Sequence, residues 1–135
     1  MGIEMHVPRG PSSDKLFVYC DLKHKGKLNH ILISAGCRLI GRAKLLKFAM
    51  YNVLNSYPTI VPSRGDDEVI GEVWSIGHAK LFDSLDNIKS PMSRYAFEVQ
   101  TGKTKMFAWT YYMPDANFNP DASGVKRNKD GKWKV

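Results

Sequence analysis

The strongest constraint on the fold is a succession of short apolar runs with strand character, interrupted by only two stretches of helical spacing. Leu16-Phe17-Val18-Tyr19 is a brief apolar run of the kind that fills a buried strand. Residues 37–47 and 48–53 read as two further strands. Residues 69–76 read as another, in which Gly71 marks a bulge or a close backbone approach. Residues 95–100 and 106–113 are rich in aromatics, and Thr101-Gly102-Lys103-Thr104 between them predicts a hairpin. Residues 57–62 carry Pro58 and Pro62, which predicts an extended segment at a sheet edge. Helical spacing occurs at Leu28, Ile31, Leu32 and Ala35, with Gly36 as a stop, and at Leu81, Phe82, Leu85 and Ile88 within residues 78–88. About six strands and two helices, without β–α alternation, predict an α+β fold: a mixed sheet curled into an open barrel with a few short helices.

Domain limits follow from the same pattern. Residues 1–14 hold two prolines, two glycines and two serines and no hydrophobic period, so a flexible lead-in is expected. Residues 15–118 form the expected domain. Beyond them the pattern fades, and residues 119–135 are expected to be a basic, weakly ordered tail. A chain of 135 residues can bury a core without disulfides or metals. It has only two cysteines, Cys20 and Cys37, which suits the reducing cytoplasm. No apolar run approaches the ~20 residues that span a bilayer, and no apolar leader is visible, so a cytoplasmic protein without a membrane partner is expected.

Charge adds a partner question. Twenty Lys and Arg against thirteen Asp and Glu give +7, which points to an anionic partner or to a solubility strategy. The basic residues fall in three groups: Lys23, Lys25 and Lys27; Arg38 and Arg42; and Lys126, Arg127 and Lys129, close to Trp133. Basic residues interleaved with aromatics suit phosphate contact and base stacking, but no nucleic-acid-binding motif accompanies them, and a solvated basic face is favoured. There is no P-loop, no G-x-G-x-x-G after a strand and no H-E-x-x-H, and the four histidines are scattered. No metal or cofactor is expected.

Four junctions carry the candidate chemistry. The first strand ends in Tyr19-Cys20-Asp21-Leu22-Lys23, where free backbone N–H groups are suited to hold an anion. Then come Tyr57-Pro58, the strand Val69-Ile70-Gly71-Glu72-Val73, and Leu85-Asp86 with Tyr95 on the next strand. Singly, each is explained by packing. In this order, together with Asn29-His30 and Ala108-Trp109-Thr110-Tyr111, they resemble the gamma-glutamylcyclotransferase-like family, which includes the AIG2-like proteins and the gamma-glutamylamine cyclotransferases. The resemblance spans residues 15–113 and implies that family's mixed β-barrel.

The resemblance also implies a reaction. Active members let the substrate's α-amine attack its own γ-carbonyl, releasing 5-oxoproline and a free amine, so positioning provides much of the rate. A glutamate in Leu-Asp-x-x-Glu acts as the base, and a Tyr-Gly-(Ser/Thr)-Leu loop holds the substrate's carboxylate. Here the base position is Lys89, and a lysine protonated at neutral pH cannot accept a proton. Cys20 and Asp21 replace the glycine and the hydroxyl: a side chain blocks close backbone approach, and a carboxylate repels an anionic ligand. Tyr19, Leu22, Tyr57 and Tyr95 occupy the remaining ligand-binding positions. Glu72 and Cys20 are the candidate substitutes, as base and as nucleophile, whereas strand alternation turns Glu98 towards solvent. These departures favour a member that has lost the reaction and binds a protein, a nucleic acid or a small anionic ligand through its cavity or basic surface. The alternative is a divergent cyclotransferase that uses Glu72 or Cys20.

Overall fold

The computed structural model describes residues 13–134. Eight strands and two helices follow in the order β1 (Lys15–Val18), α1 (Asn29–Ser34), β2 (Arg38–Leu46), β3 (Phe48–Val53), β4 (Tyr57–Pro62), β5 (Glu68–Ser75), α2 (Leu81–Lys89), β6 (Ser93–Thr101), β7 (Thr104–Tyr112) and β8 (Val125–Asn128). The lead-in expected over residues 1–14 lies outside the described residues except for Ser13 and Asp14. Those two are tied down: Trp109 Nε1 donates to the Ser13 carbonyl and Ile76 N to the Asp14 carbonyl, both at 2.8 Å.

Strands β1-β5-β2-β6-β7 form a barrel that is closed, not open as expected. Closure comes from β7 running parallel to β1, with Leu16 opposite Trp109, while the other pairs around the barrel are antiparallel. Period-2 alternation alone does not say which two strands meet at the seam. All five strands contribute to one core, through Phe17, Leu45, Val69, Val73, Val99 and Ala108. Helices α1 and α2 add Leu32, Leu81 and Leu85 to it.

The expected bulge or close approach in β5 resolves into the second. Gly71 pairs regularly with Ala43, and a Cβ built on it would lie 2.3 Å from the Val18 carbonyl oxygen and 2.8 Å from the Phe17 ring. The register shift is instead in β2, between Leu39 and Gly41. The hairpin β6–β7 turns at Gly102-Lys103, with Thr101 opposite Thr104, and Gly102 takes φ +58°.

A second antiparallel sheet, β4-β3-β8, stands beside the barrel. Lys47, at φ +68° between Leu45-Leu46 and Phe48-Ala49-Met50, sends the chain from β2 into β3. The edge position expected for residues 57–62 is where β4 lies. The weakly ordered tail is corrected: residues 125–128 pair with Met50 to Val53, and Ile70 N donates to the Gly131 carbonyl. Four residues without an apolar run carry no strand signal of their own. They become a strand because β3 offers an unpaired edge.

Candidate functional site

The site is built where the loop after β1, the C-terminal end of α2 and the start of β4 converge. The loop closes tightly. Leu28 N donates to the Asp21 carbonyl at 3.0 Å, and a Cβ on Gly26 would lie 2.0 Å from that same oxygen, so only glycine fits there. Glycine therefore fixes where Asp21 and Lys27 emerge.

Helix α2 is anchored by a network of Asp86, Tyr111, Tyr19 and Arg94, the last of them a residue outside every motif. Asp86 accepts from Arg94 Nε and Nη2 at 2.9 and 3.2 Å and from the Tyr111 hydroxyl at 2.5 Å. The Arg94 guanidinium lies 4.0 Å from the centre of the Phe82 ring and 4.8 Å from that of Trp109. The Tyr111 carbonyl in turn accepts from the Tyr19 hydroxyl at 2.7 Å. One chain of contacts thus joins β1, β7, α2 and β6. Burial, reinforced by the Asp86 carboxylate, pushes the Tyr111 phenol far above its usual range. Partial burial tends to raise the Asp86 pKa, but the bonds from Arg94 and Tyr111 outweigh it and leave the group below the ordinary carboxylate value. Arg94 belongs to no motif, and although Tyr111 lies in the Ala108–Tyr111 segment of the resemblance, its pairing with Asp86 twenty-five residues away arises only from folding.

Anchored in this way, α2 places Lys89 with its Nζ 3.0 Å from Cys20 Sγ. Cys20 is buried, and so are Tyr19 and Leu22. Tyr19 also ionises less readily, because of burial and, secondly, the neighbouring Cys20. In front of these residues lies a cleft of about 440 Å³. Its ionisable walls are Asp21, Lys27 and Lys89, and its polar rim includes Ser56 and Ser90. Tyr57, Pro58, Ile88, Pro91, Met92 and Met113 supply the apolar walls. Met113 is placed by its N–H donating to the Ile60 carbonyl at 2.8 Å, across to β4. Ile88, expected on the buried stripe of α2, is 47% exposed, because the last turn of the helix overhangs the cleft instead of the core.

Asp21 is not a free negative charge. Lys27 Nζ lies 3.6 Å from its carboxylate, and Trp133 Nε1 donates to it at 3.3 Å. Trp133 packs against the core, and its carbonyl accepts from Lys23 Nζ, so the C-terminal segment is fastened to this loop and the indole is not a free stacking surface. Burial lowers the Lys23 pKa, opposed chiefly by the Glu72 charge.

Of the residues singled out from the sequence, Lys89, Asp21 and Tyr57 therefore meet at the cleft, with Cys20 behind them. Glu72 is not among the lining residues. Its carboxylate accepts from His24 N at 2.8 Å and from Trp74 Nε1 at 3.1 Å. Tyr95 also lies apart, its ring 5.0 Å from that of Phe97. Glu98 is exposed, as alternation required. The basic residues are divided: Arg38 and Arg42 are exposed on β2, Lys25 is exposed on the loop, and Lys126 and Arg127, followed by Lys129, belong to the second sheet. Arg127 pairs with Asp67, whose pKa is lowered first by a hydrogen bond from Ser63.

The family profile "Gamma-glutamyl cyclotransferase, AIG2-like" matches residues 16–135. The chain belongs to this family. No curated protein matches its sequence. Its fold is similar to that of an AIG2-like protein from Mus musculus, with a TM-score of 0.71 at 18% identity over 90% of this chain and 88% of that one. YkqA from Bacillus subtilis gives 0.70 at 24% identity, but over only 39% of its longer chain against 89% of this one. The uncharacterized protein PH0828 from Pyrococcus horikoshii gives 0.64 at 21% identity over 89% of both chains. These likenesses show the gamma-glutamyl cyclotransferase-like fold. No described helix is long and apolar enough to cross a membrane.

Proposed function

We propose that this gamma-glutamyl cyclotransferase-like protein does not release 5-oxoproline and uses its cleft to bind a small anionic partner. The observation that carries the reading is Lys89, a cleft wall whose Nζ donates to Cys20 Sγ at 3.0 Å. An ammonium there repels the substrate ammonium that the cyclisation must deprotonate, and it provides no lone pair to receive that proton. Asp21 is the one carboxylate among the cleft walls, and it is already engaged by Lys27 and Trp133. Glu72 gives no support as a substitute base, since it lies outside the cleft and is held by His24 and Trp74. The basic residues of β8 support a partner surface less well, because Arg127 is already paired with Asp67.

A second reading draws on the same contact. A thiol that accepts from a lysine has the form of an activated nucleophile: the Cys20 thiolate would attack the amide carbonyl, the Lys89 ammonium would protonate the amine as the C–N bond breaks, and the substrate's own α-amine would then displace the sulfur as 5-oxoproline, returning its proton to Lys89. Incubation with gamma-glutamyl amines and dipeptides, followed by quantification of 5-oxoproline, separates the two. The binding reading expects no turnover by the natural sequence, and expects turnover to appear when Lys89→Glu, Cys20→Gly and Asp21→Thr are combined. Turnover by the unmodified protein that disappears in Cys20→Ser would replace it with the nucleophile reading.

A further inference from the structure

We propose that the cleft takes a monocarboxylate that carries an apolar body and no free α-amine. This inference rests on the binding reading above and names the ligand class. Charge sets the head group. The ionisable walls are one carboxylate, Asp21, and two ammonium groups, Lys27 and Lys89. Lys27 faces Asp21 at 3.6 Å, whereas Lys89 has no carboxylate within ion-pair distance among the described residues. One positive charge is therefore left over at the cleft, and its complement is a single anionic group. A ligand with an ammonium next to its carboxylate would bring that ammonium against Lys89, so an amine-free or amine-blocked acid fits better.

The walls set the rest of the ligand. Pro58, Pro91, Met92 and Met113 form an apolar surface deeper than one carboxylate needs. Tyr57 and Ile88 are each 47% exposed at its rim, large apolar groups that the fold itself leaves uncovered. Two methionines give walls that adapt to a flexible chain without specifying its shape. The carboxylate sits on the Lys89 ammonium, and the hydrocarbon runs between Met92 and Met113 towards Pro58.

Calorimetric titration of the full chain with acetate, hexanoate, decanoate, 2-aminodecanoate and decylamine tests the assignment. Decanoate should bind more tightly than hexanoate, by roughly fourfold for each methylene that becomes buried, and acetate should not be detected. Decylamine and 2-aminodecanoate should bind at least tenfold more weakly than decanoate. Lys89→Met should lose roughly tenfold or more of the decanoate affinity, while Lys89→Arg, which keeps the charge, should retain most of it. Circular dichroism of both variants checks that the fold is kept, and amide shifts of Met92 and Met113 on adding decanoate locate the ligand. Decanoate bound equally well by Lys89→Met, decylamine bound as well as decanoate, or no decanoate binding overturns the proposal. The 5-oxoproline assay reads separately: turnover by the natural sequence overturns the binding reading, while no turnover together with no decanoate binding overturns only the ligand class.

Discussion

Replacing Gly71 with alanine asks whether the Gly-Glu strand signature is a packing device rather than part of the chemistry. An ideal Cβ at Gly71 would lie 2.3 Å from the Val18 carbonyl oxygen and 2.8 Å from the Phe17 ring. The nearest of these atoms is backbone, so relief requires β1 to move away from β5 by about an ångström, given ordinary carbon contacts of ~3.5 Å. Overpacking of this kind costs about 1–3 kcal/mol, and a backbone clash belongs at the upper end. Alanine's smaller loss of chain entropy offsets roughly 0.5–1 kcal/mol of that. The expected net loss is about 2 kcal/mol, or a fall in Tm of roughly 6–10 °C for a domain of this size. Gly41→Ala is the matched control, with nothing within 4 Å of its Cβ and no positive φ, and it should stay within about 0.5 kcal/mol of the parent. Urea midpoints and thermal scans of both variants measure the contrast. A Gly71→Ala protein as stable as Gly41→Ala would refute the claim that close strand approach requires this glycine.

Two further outcomes follow from the anchoring contacts. Because the folded-state pKa of Asp86 is lowered, its stabilising contribution is present above the unfolded carboxylate value of ~3.9 and is lost as pH falls through the folded value. Asp86→Asn should therefore flatten the acid limb of a stability–pH curve measured by urea denaturation between about pH 2 and 6, and an unchanged limb would contradict the network. Trp133→Ala should cost roughly 1–3 kcal/mol in the same assay, since a half-buried indole loses its packing and its bond to Asp21. A weakly ordered tail would give no change.

Much of the barrel was legible because its strands and helices are stabilised by local pattern. The aromatic alternation of β6 and β7 and the two-residue turn between them carried their own register, and Gly36 marked the end of α1. Legibility failed where a segment depends on a partner distant in sequence. Residues 125–128 have no apolar period, yet they complete a sheet on β3. The same is true of the site. The resemblance pointed to Lys89, Asp21 and Tyr57, which do meet, but also to Glu72 and Tyr95, which face other surroundings. Met92 and Met113 form cleft walls without belonging to any motif.

By itself, the sequence determined the α+β class, the hairpin, the family resemblance and the lysine that stands where a catalytic carboxylate is expected. Those properties reside in residue identity and in short-range periodicity, which survive without a partner. Only the tertiary structure decided that the barrel closes through a parallel β1–β7 seam, that the C-terminal segment is part of the fold, and that Asp21 is paired with Lys27 and hydrogen-bonded by Trp133 while Lys89 rests on Cys20. Each of these is a contact between groups far apart along the chain, and packing alone brings such groups together.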